Sequence, residues 1–145
     1  MNLNWSAAIG SVAYILCCVF ALRRGERAER VVATAMLLDY SATLLLEDYG
    51  HLGSVQYGIL AGDVLVLGAV LHSTFTTNRR WTIAAASFQL LGVLIHVAKM
   101  MDTTVDGWSY LTAGVIVGYG LMLSLAVGTL LEARPGRQLL HTGET

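Results

Sequence analysis

An acidic residue lies inside an apolar run that is long enough to cross a lipid bilayer. Residues 54–75 read SVQYGILAGDVLVLGAVLHSTF, and Asp63 falls near the middle of that stretch. About 20 residues at a helical rise of roughly 1.5 Å span the hydrocarbon core, so the length fits one crossing. A charged side chain at that depth costs about 2.5–3.5 kcal/mol on insertion scales. The run is therefore predicted to be the central helix of a bundle, with its aspartate facing the interior.

The composition is that of a membrane protein. Hydrophobic residues make up 55% of the chain and charged residues 13%. Soluble domains average about 45–50% apolar residues and about 25% charged ones. A formal net charge of −1 gives no reason to expect a nucleic-acid partner. Residues 1–145 are accordingly predicted to form one domain, embedded in a bacterial inner (cytoplasmic) membrane.

Five apolar runs predict an all-α integral membrane protein built as a five-transmembrane-helix bundle. If all five runs cross, eight arginines share one side of the membrane and Lys99 lies opposite. If the second run does not cross, the positive residues divide five against four. The tendency of positive loops to stay in the cytoplasm favours five crossings, with the N-terminus outside and the C-terminus cytoplasmic. The runs are residues 5–22, 31–46, 54–75, 81–99 and 108–131, and the arginines are Arg23, Arg24, Arg27, Arg30, Arg79, Arg80, Arg134 and Arg137.

Polar side chains on different runs are predicted to meet near the middle of the membrane. Each lies about eight to eleven residues from an end of its run, which is roughly 12–16 Å at helical rise. Two aspartates at one depth are costly, so hydrogen-bond partners on neighbouring helices are expected. The predicted site is Tyr14, Asp39, Asp63, Gln89 and Tyr119, with His96, Lys99 and Glu47 at its outer mouth.

Two functions fit this pattern. The first is transport or sensing of a proton, a cation or a small solute through the polar site. The second is a non-catalytic accessory or structural subunit of a larger membrane complex, in which the polar residues serve packing alone. Gly58-x-x-x-Gly62 and Gly114-x-x-x-Gly118 permit close helix approach, which predicts a homo-oligomer or a complex subunit. The sequence contains no Gly-rich phosphate loop, His-Glu-x-x-His or Cys-x-x-Cys, so an enzyme is not expected.

A third and weaker hypothesis is the binding of a haem or a chlorophyll-type pigment. His72 and His96 each follow a glycine by four residues, Gly68 and Gly92, and a small residue one turn before a histidine lets a flat macrocycle lie against a helix. The two histidines are predicted near opposite faces of the membrane, so they cannot clamp one haem between them. No cofactor is required by the sequence, and no metal site is predicted.

Overall fold

The computed structural model of this chain describes residues 5–46, 57–102, 104 and 106–132. Within those ranges every regular element is an α-helix, and each helix has 20–26 residues. At about 1.5 Å per residue these lengths are roughly 30–39 Å, which matches the hydrocarbon thickness of a bilayer. The helices are α1 (Trp5–Arg24), α2 (Arg27–Leu46), α3 (Tyr57–Thr76), α4 (Arg80–Met101) and α5 (Gly107–Glu132). Of these, α3, α4 and α5 are long and apolar enough to cross a membrane.

The helices begin and end at residues that differ from the limits of the apolar runs. Helix α2 begins at Arg27, four residues before its predicted run, and α1 continues to Arg24. Arginine is a good helix former, and its apolar stem can lie along a helix while the guanidinium reaches water. The apolar runs therefore underestimate the helices where arginines flank them. The described part of α3 begins at Tyr57, and residues 54–56 of the predicted run lie outside the described residues.

The five helices form a ring. Helix α2 packs against α1 and α3, α4 packs against α3 and α5, and α5 returns to α1. Helices α2 and α5 also contact each other across the ring. The prediction that residues 54–75 form the central helix is wrong, because among the described residues α3 contacts α2 and α4 alone. Its small residues suggested two packed faces, yet a Cβ at Gly68 would have no neighbouring atom within 4 Å.

The buried residues of the ring are mainly apolar, and so is much of its outer surface. Met36 on α2 and Leu125 on α5 are the largest fully buried apolar side chains. Ile9, Leu65 and Ile116, on α1, α3 and α5, each expose more than half of their surface. Large apolar side chains spread over the outside of a helical ring suit contact with lipid better than contact with water.

The two ends of the bundle differ in charge. At one end, α1 leads into α2 and α3 leads into α4, and residues 23–30 and 79–80 carry six arginines and two glutamates. We call this the arginine end. At the other end α2 finishes, α3 begins and α4 leads into α5, with Asp102 and Asp106 in the connection. We call this the far end.

Candidate functional site

A cluster of polar side chains lies between helices near the far end, and we call it the polar cluster. Asp63 is six residues after the start of α3, which places it roughly 9 Å inside the helix. His96 is five residues before the end of α4, and Tyr110 is three residues after the start of α5. These three side chains lie in the half of the bundle nearer the far end.

Asp63 is the hub of the polar cluster. Its Oδ2 lies 2.9 Å from Nε2 of His96, which joins α3 to α4. The side-chain amide of Gln89 donates to Oδ1 of Asp63 at 2.8 Å and to its backbone carbonyl at 3.0 Å. Both carboxylate oxygens of Asp63 are therefore engaged. The side chains of Asp63 and His96 retain 20% and 12% of their exposure, so the pair is largely shielded from solvent.

His96 extends the cluster to α5. Its Nδ1 lies 2.6 Å from the hydroxyl of Tyr110, and the two rings meet edge to face with centroids 5.4 Å apart. A neutral imidazole donates through one nitrogen and accepts through the other, whereas an imidazolium donates through both. Asp63, His96 and Tyr110 therefore form a continuous hydrogen-bonded path across three helices.

Asp39 brings a second carboxyl group to the cluster from α2. Its Oδ1 is buried and has no hydrogen-bond partner among the described residues. A Cβ at Gly62 would overlap this oxygen, so the glycine is what allows α3 to approach Asp39 closely. Asp63 and His96 are near enough to act on Asp39 electrostatically. A buried carboxylate oxygen that lacks a partner is costly, so Asp39 is the least satisfied group of the cluster.

The two predicted tyrosines occupy different places. The hydroxyl of Tyr14 donates to the backbone carbonyl of Met36 at 3.3 Å, one turn before Asp39, so Tyr14 borders the cluster. Tyr119 does not reach it. It is 43% exposed, and its hydroxyl lies 2.6 Å from the position of a Cβ at Gly10.

The sequence analysis placed Tyr119 of α5 in the polar site and missed Tyr110 of the same helix. Nine positions separate the two tyrosines, about two and a half turns, so they point to opposite faces. The spacing of large apolar residues along α5 could have indicated that Tyr110 faces inward. Val117, Leu121 and Leu125 follow it on one buried face, with spacings of seven, four and four residues.

The residues predicted at the outer mouth lie in different surroundings. His96 lies inside the polar cluster as the partner of Asp63. Lys99 is buried, two residues before the end of α4, and Glu47 lies outside the described residues. The exposed loop next to α4 contains Asp102, whose pKa is held below its usual value because the side chain and backbone of Thr104 donate to its carboxylate.

The surroundings of the two histidines bear on the tetrapyrrole hypothesis, and those of His96 do not favour it. Both of its ring nitrogens already have partners, Asp63 and Tyr110. The space beside Gly92 is occupied by α5, since a Cβ there would lie 3.4 Å from Val117.

His72 is exposed and lies toward the arginine end of α3. Across the described part of the chain, no group of three or more His, Cys, Asp or Glu side chains could hold a metal ion.

A second buried ionic group, at the arginine end, was not predicted. Glu29 is fully buried, and its Oε1 accepts from Arg79 at 2.6 Å and from the indole of Trp81 at 3.0 Å. Its Oε2 accepts from the backbone of Glu26 at 3.0 Å, and Arg79 also pairs with Glu26 at 2.5 Å. The signal was the position of Glu29 on the buried face of α2 that also carries Met36, one helical repeat of seven residues later.

These observations define the class of protein. It is all-helical in its described residues, has three helices long and apolar enough to cross a membrane, and encloses a polar cluster between helices. The chain matches no protein-family model, no curated protein and no solved structure.

Proposed function

We propose that this chain is a small five-span protein of a bacterial inner membrane that takes up and relays a proton at Asp39, Asp63 and His96. The observation that carries this proposal is the path from Asp63 through His96 to Tyr110, beside a buried carboxylate oxygen of Asp39 that has no described partner. Transport and sensing of protons are the two uses of such a site. Both require that a proton enter the shielded cluster and change its charge.

Five crossings are supported by the ring and by its charged ends. Helices α1 and α2 have 20 residues each, as α3 does, and they complete the ring with the three apolar helices. The apolar side chains of α1 that point outward, such as Ile9 and Leu16, are exposed as lipid-facing residues would be. Arginines concentrated at one end favour a cytoplasmic location for that end. This arrangement leaves the N-terminus outside and the C-terminus in the cytoplasm.

A proton fits the cluster better than a metal cation or a larger solute. Hard cations take six or more oxygen ligands, whereas Asp63 already accepts from Gln89 and faces His96. The oxygen of Asp39 lies against Gly62, so little room remains there for an ion. A proton needs only an acceptor and a chain of hydrogen bonds. Asp39 supplies the acceptor, and His96 can hold a proton between Asp63 and Tyr110.

The test is proton uptake by vesicles that contain the purified protein. A trapped pH-sensitive dye reports uptake after a potassium gradient and valinomycin impose a membrane potential. We expect uptake above that of protein-free vesicles, and at least a tenfold loss in Asp39→Asn and in Asp63→Asn. Asp102→Asn is the matched control, because Asp102 is an exposed aspartate at the same end and lies outside the cluster. Normal uptake by both cluster variants, with helical content and elution volume unchanged, would refute the proposal.

The accessory-subunit hypothesis has one observation in its favour. On α5, a Cβ at Gly114 or Gly118 would meet no atom within 4 Å, so this pair packs against nothing in the described chain. Val115 and Ile116 between them are exposed, and the face is open to another helix. This candidate predicts that Gly118→Leu releases a partner that otherwise co-purifies at a fixed ratio. Proton uptake by the isolated chain would then be no faster than in protein-free vesicles.

A further inference from the structure

A groove of about 760 Å³ opens on the outside of the bundle at the arginine end. Its rim carries Arg24 from the end of α1, and Arg27 and Arg30 from the first turn of α2. From there it follows α2 over Val31 and Leu38, and Ala69 of α3 forms part of one wall. One end of the groove is therefore cationic, and the remainder is apolar except for Thr34.

The acidic residues that line the groove do not neutralise the positive charge of its rim. Glu26 is the one acidic residue among the described residues that line the groove, and its carboxylate pairs with Arg79 at 2.5 Å. Arg30 is held in place because its Nε donates to the backbone carbonyl of Gly25 at 2.9 Å. Planar guanidinium groups bind phosphate oxygens in pairs of hydrogen bonds, which makes this rim suited to a phosphate group.

The length of the groove matches one leaflet of a bilayer. Arg27 and Leu38 are eleven residues apart on α2, a distance of about 16 Å along the helix. This is close to half of the roughly 30 Å thickness of the hydrocarbon core. Val31 and Leu38 expose apolar surface along this distance, and the small side chain of Ala35 between them leaves room for an acyl chain. A single acyl chain that begins beside the arginines would lie along the groove and end near the midplane.

We propose that this groove binds an anionic phospholipid of the leaflet next to the arginine end. The phosphate of the headgroup contacts Arg24, Arg27 and Arg30, and one acyl chain lies over Val31, Ala35 and Leu38. Basic pockets between helices at the cytoplasmic side are a known arrangement for acidic headgroups. The inference rests on the five-span arrangement proposed above, in which α2 crosses the bilayer. It does not depend on proton transfer, because the headgroup site at Arg24, Arg27 and Arg30 lies about two and a half turns or more from Asp39.

The test is lipid binding by the full chain, purified in detergent and stripped of lipid, with native mass spectrometry as the readout. We expect phosphatidylglycerol to bind more tightly than phosphatidylcholine with the same acyl chains. Each rim arginine near the surface contributes about a fivefold change in affinity, so Arg27→Gln is expected to weaken phosphatidylglycerol binding about fivefold. Arg80→Gln is the matched control, because Arg80 is exposed at the same end and does not line the groove.

Two further measurements separate a lipid from a free phosphate. Thr34→Trp places a large side chain in the groove at an exposed position and is expected to block the acyl chain. Glycerol phosphate, which has the same charged group without acyl chains, is not expected to compete. Equal binding of the two lipids, equal losses in Arg27→Gln and Arg80→Gln, unchanged binding in Thr34→Trp, or full competition by glycerol phosphate would each overturn the proposal.

Discussion

At the scale of single residues, the contact between Asp39 and Gly62 decides how closely α2 and α3 approach each other. The carboxylate oxygen of Asp39 occupies the place that any larger side chain at position 62 would need. Because Asp39 is short and lies between packed helices, it has little freedom to move away. Gly62 permits this approach but has no side chain that could donate a hydrogen bond to Asp39.

Gly62→Ala is therefore expected to lower the free energy of unfolding by about 1–3 kcal/mol, the usual cost of forcing extra atoms into a packed contact. Gly68→Ala is the matched control on the same helix, since a Cβ there would meet no atom within 4 Å. Alanine favours the helix over glycine by about 0.5–1 kcal/mol, so the control is expected to be neutral or slightly stabilised. Denaturant unfolding in mild detergent, followed by circular dichroism, measures both. An equal change in the two variants would contradict the close contact at Gly62.

At the scale of the helices, apolar content reveals where each helix runs but not which of its faces points inward. All five apolar runs correspond to helices, because a run of about 20 apolar residues is typical of a membrane-spanning helix. The inward face was harder to predict on α5, where nearly every residue is apolar and a tyrosine fits either side. The sequence predicts Gln89 and Asp63 at one depth, and the two side chains are hydrogen-bonded in the structure. Contacts such as His96 with Tyr110 depend on the rotation of each helix, which an apolar run does not specify.

The two tyrosines of α5 test this assignment of faces. Tyr110→Phe removes the hydroxyl 2.6 Å from Nδ1 of His96, whereas Tyr119→Phe makes the same chemical change on the opposite face. We expect the first variant to shift the ¹⁵N resonance of Nδ1 of His96 and to slow proton uptake several-fold. The second is expected to leave both unchanged. A shift of the His96 resonance in both variants, or in neither, would show that α5 is rotated differently.

At the scale of the whole molecule, two groups of polar contacts connect helices, one group at each end of the bundle. The arginine end is tied by Glu29 and Arg79, and the far end by Asp63, His96 and Tyr110. The remaining packing between the helices is mainly apolar and weakly directional when lipid surrounds it, and the hydrogen bond from Tyr14 to the carbonyl of Met36 is a further polar contact. These two groups of contacts therefore fix how the helices are aligned along one another more than they add to the free energy of unfolding.

Glu29→Ala is expected to destabilise the chain by about 3 kcal/mol, because it leaves the buried indole of Trp81 without its acceptor and Arg79 with a poorer set of partners. Glu26→Ala removes the other carboxylate bound to Arg79. Its side chain is 52% exposed, so the expected loss is below about 1 kcal/mol. Thermal unfolding in detergent compares the two variants. Losses of the same size would mean that Glu29 is not the buried member of the pair.

The bond between Glu29 and Arg79 has a consequence for biosynthesis. These residues are 50 positions apart, so α1 and α2 leave the ribosome well before the arginine that neutralises Glu29 is made. Until residue 79 has been made, Glu29 of the first hairpin lacks the guanidinium that it contacts in the folded protein. The contact that joins α2 to the start of α4 therefore forms only after α3 has been synthesised.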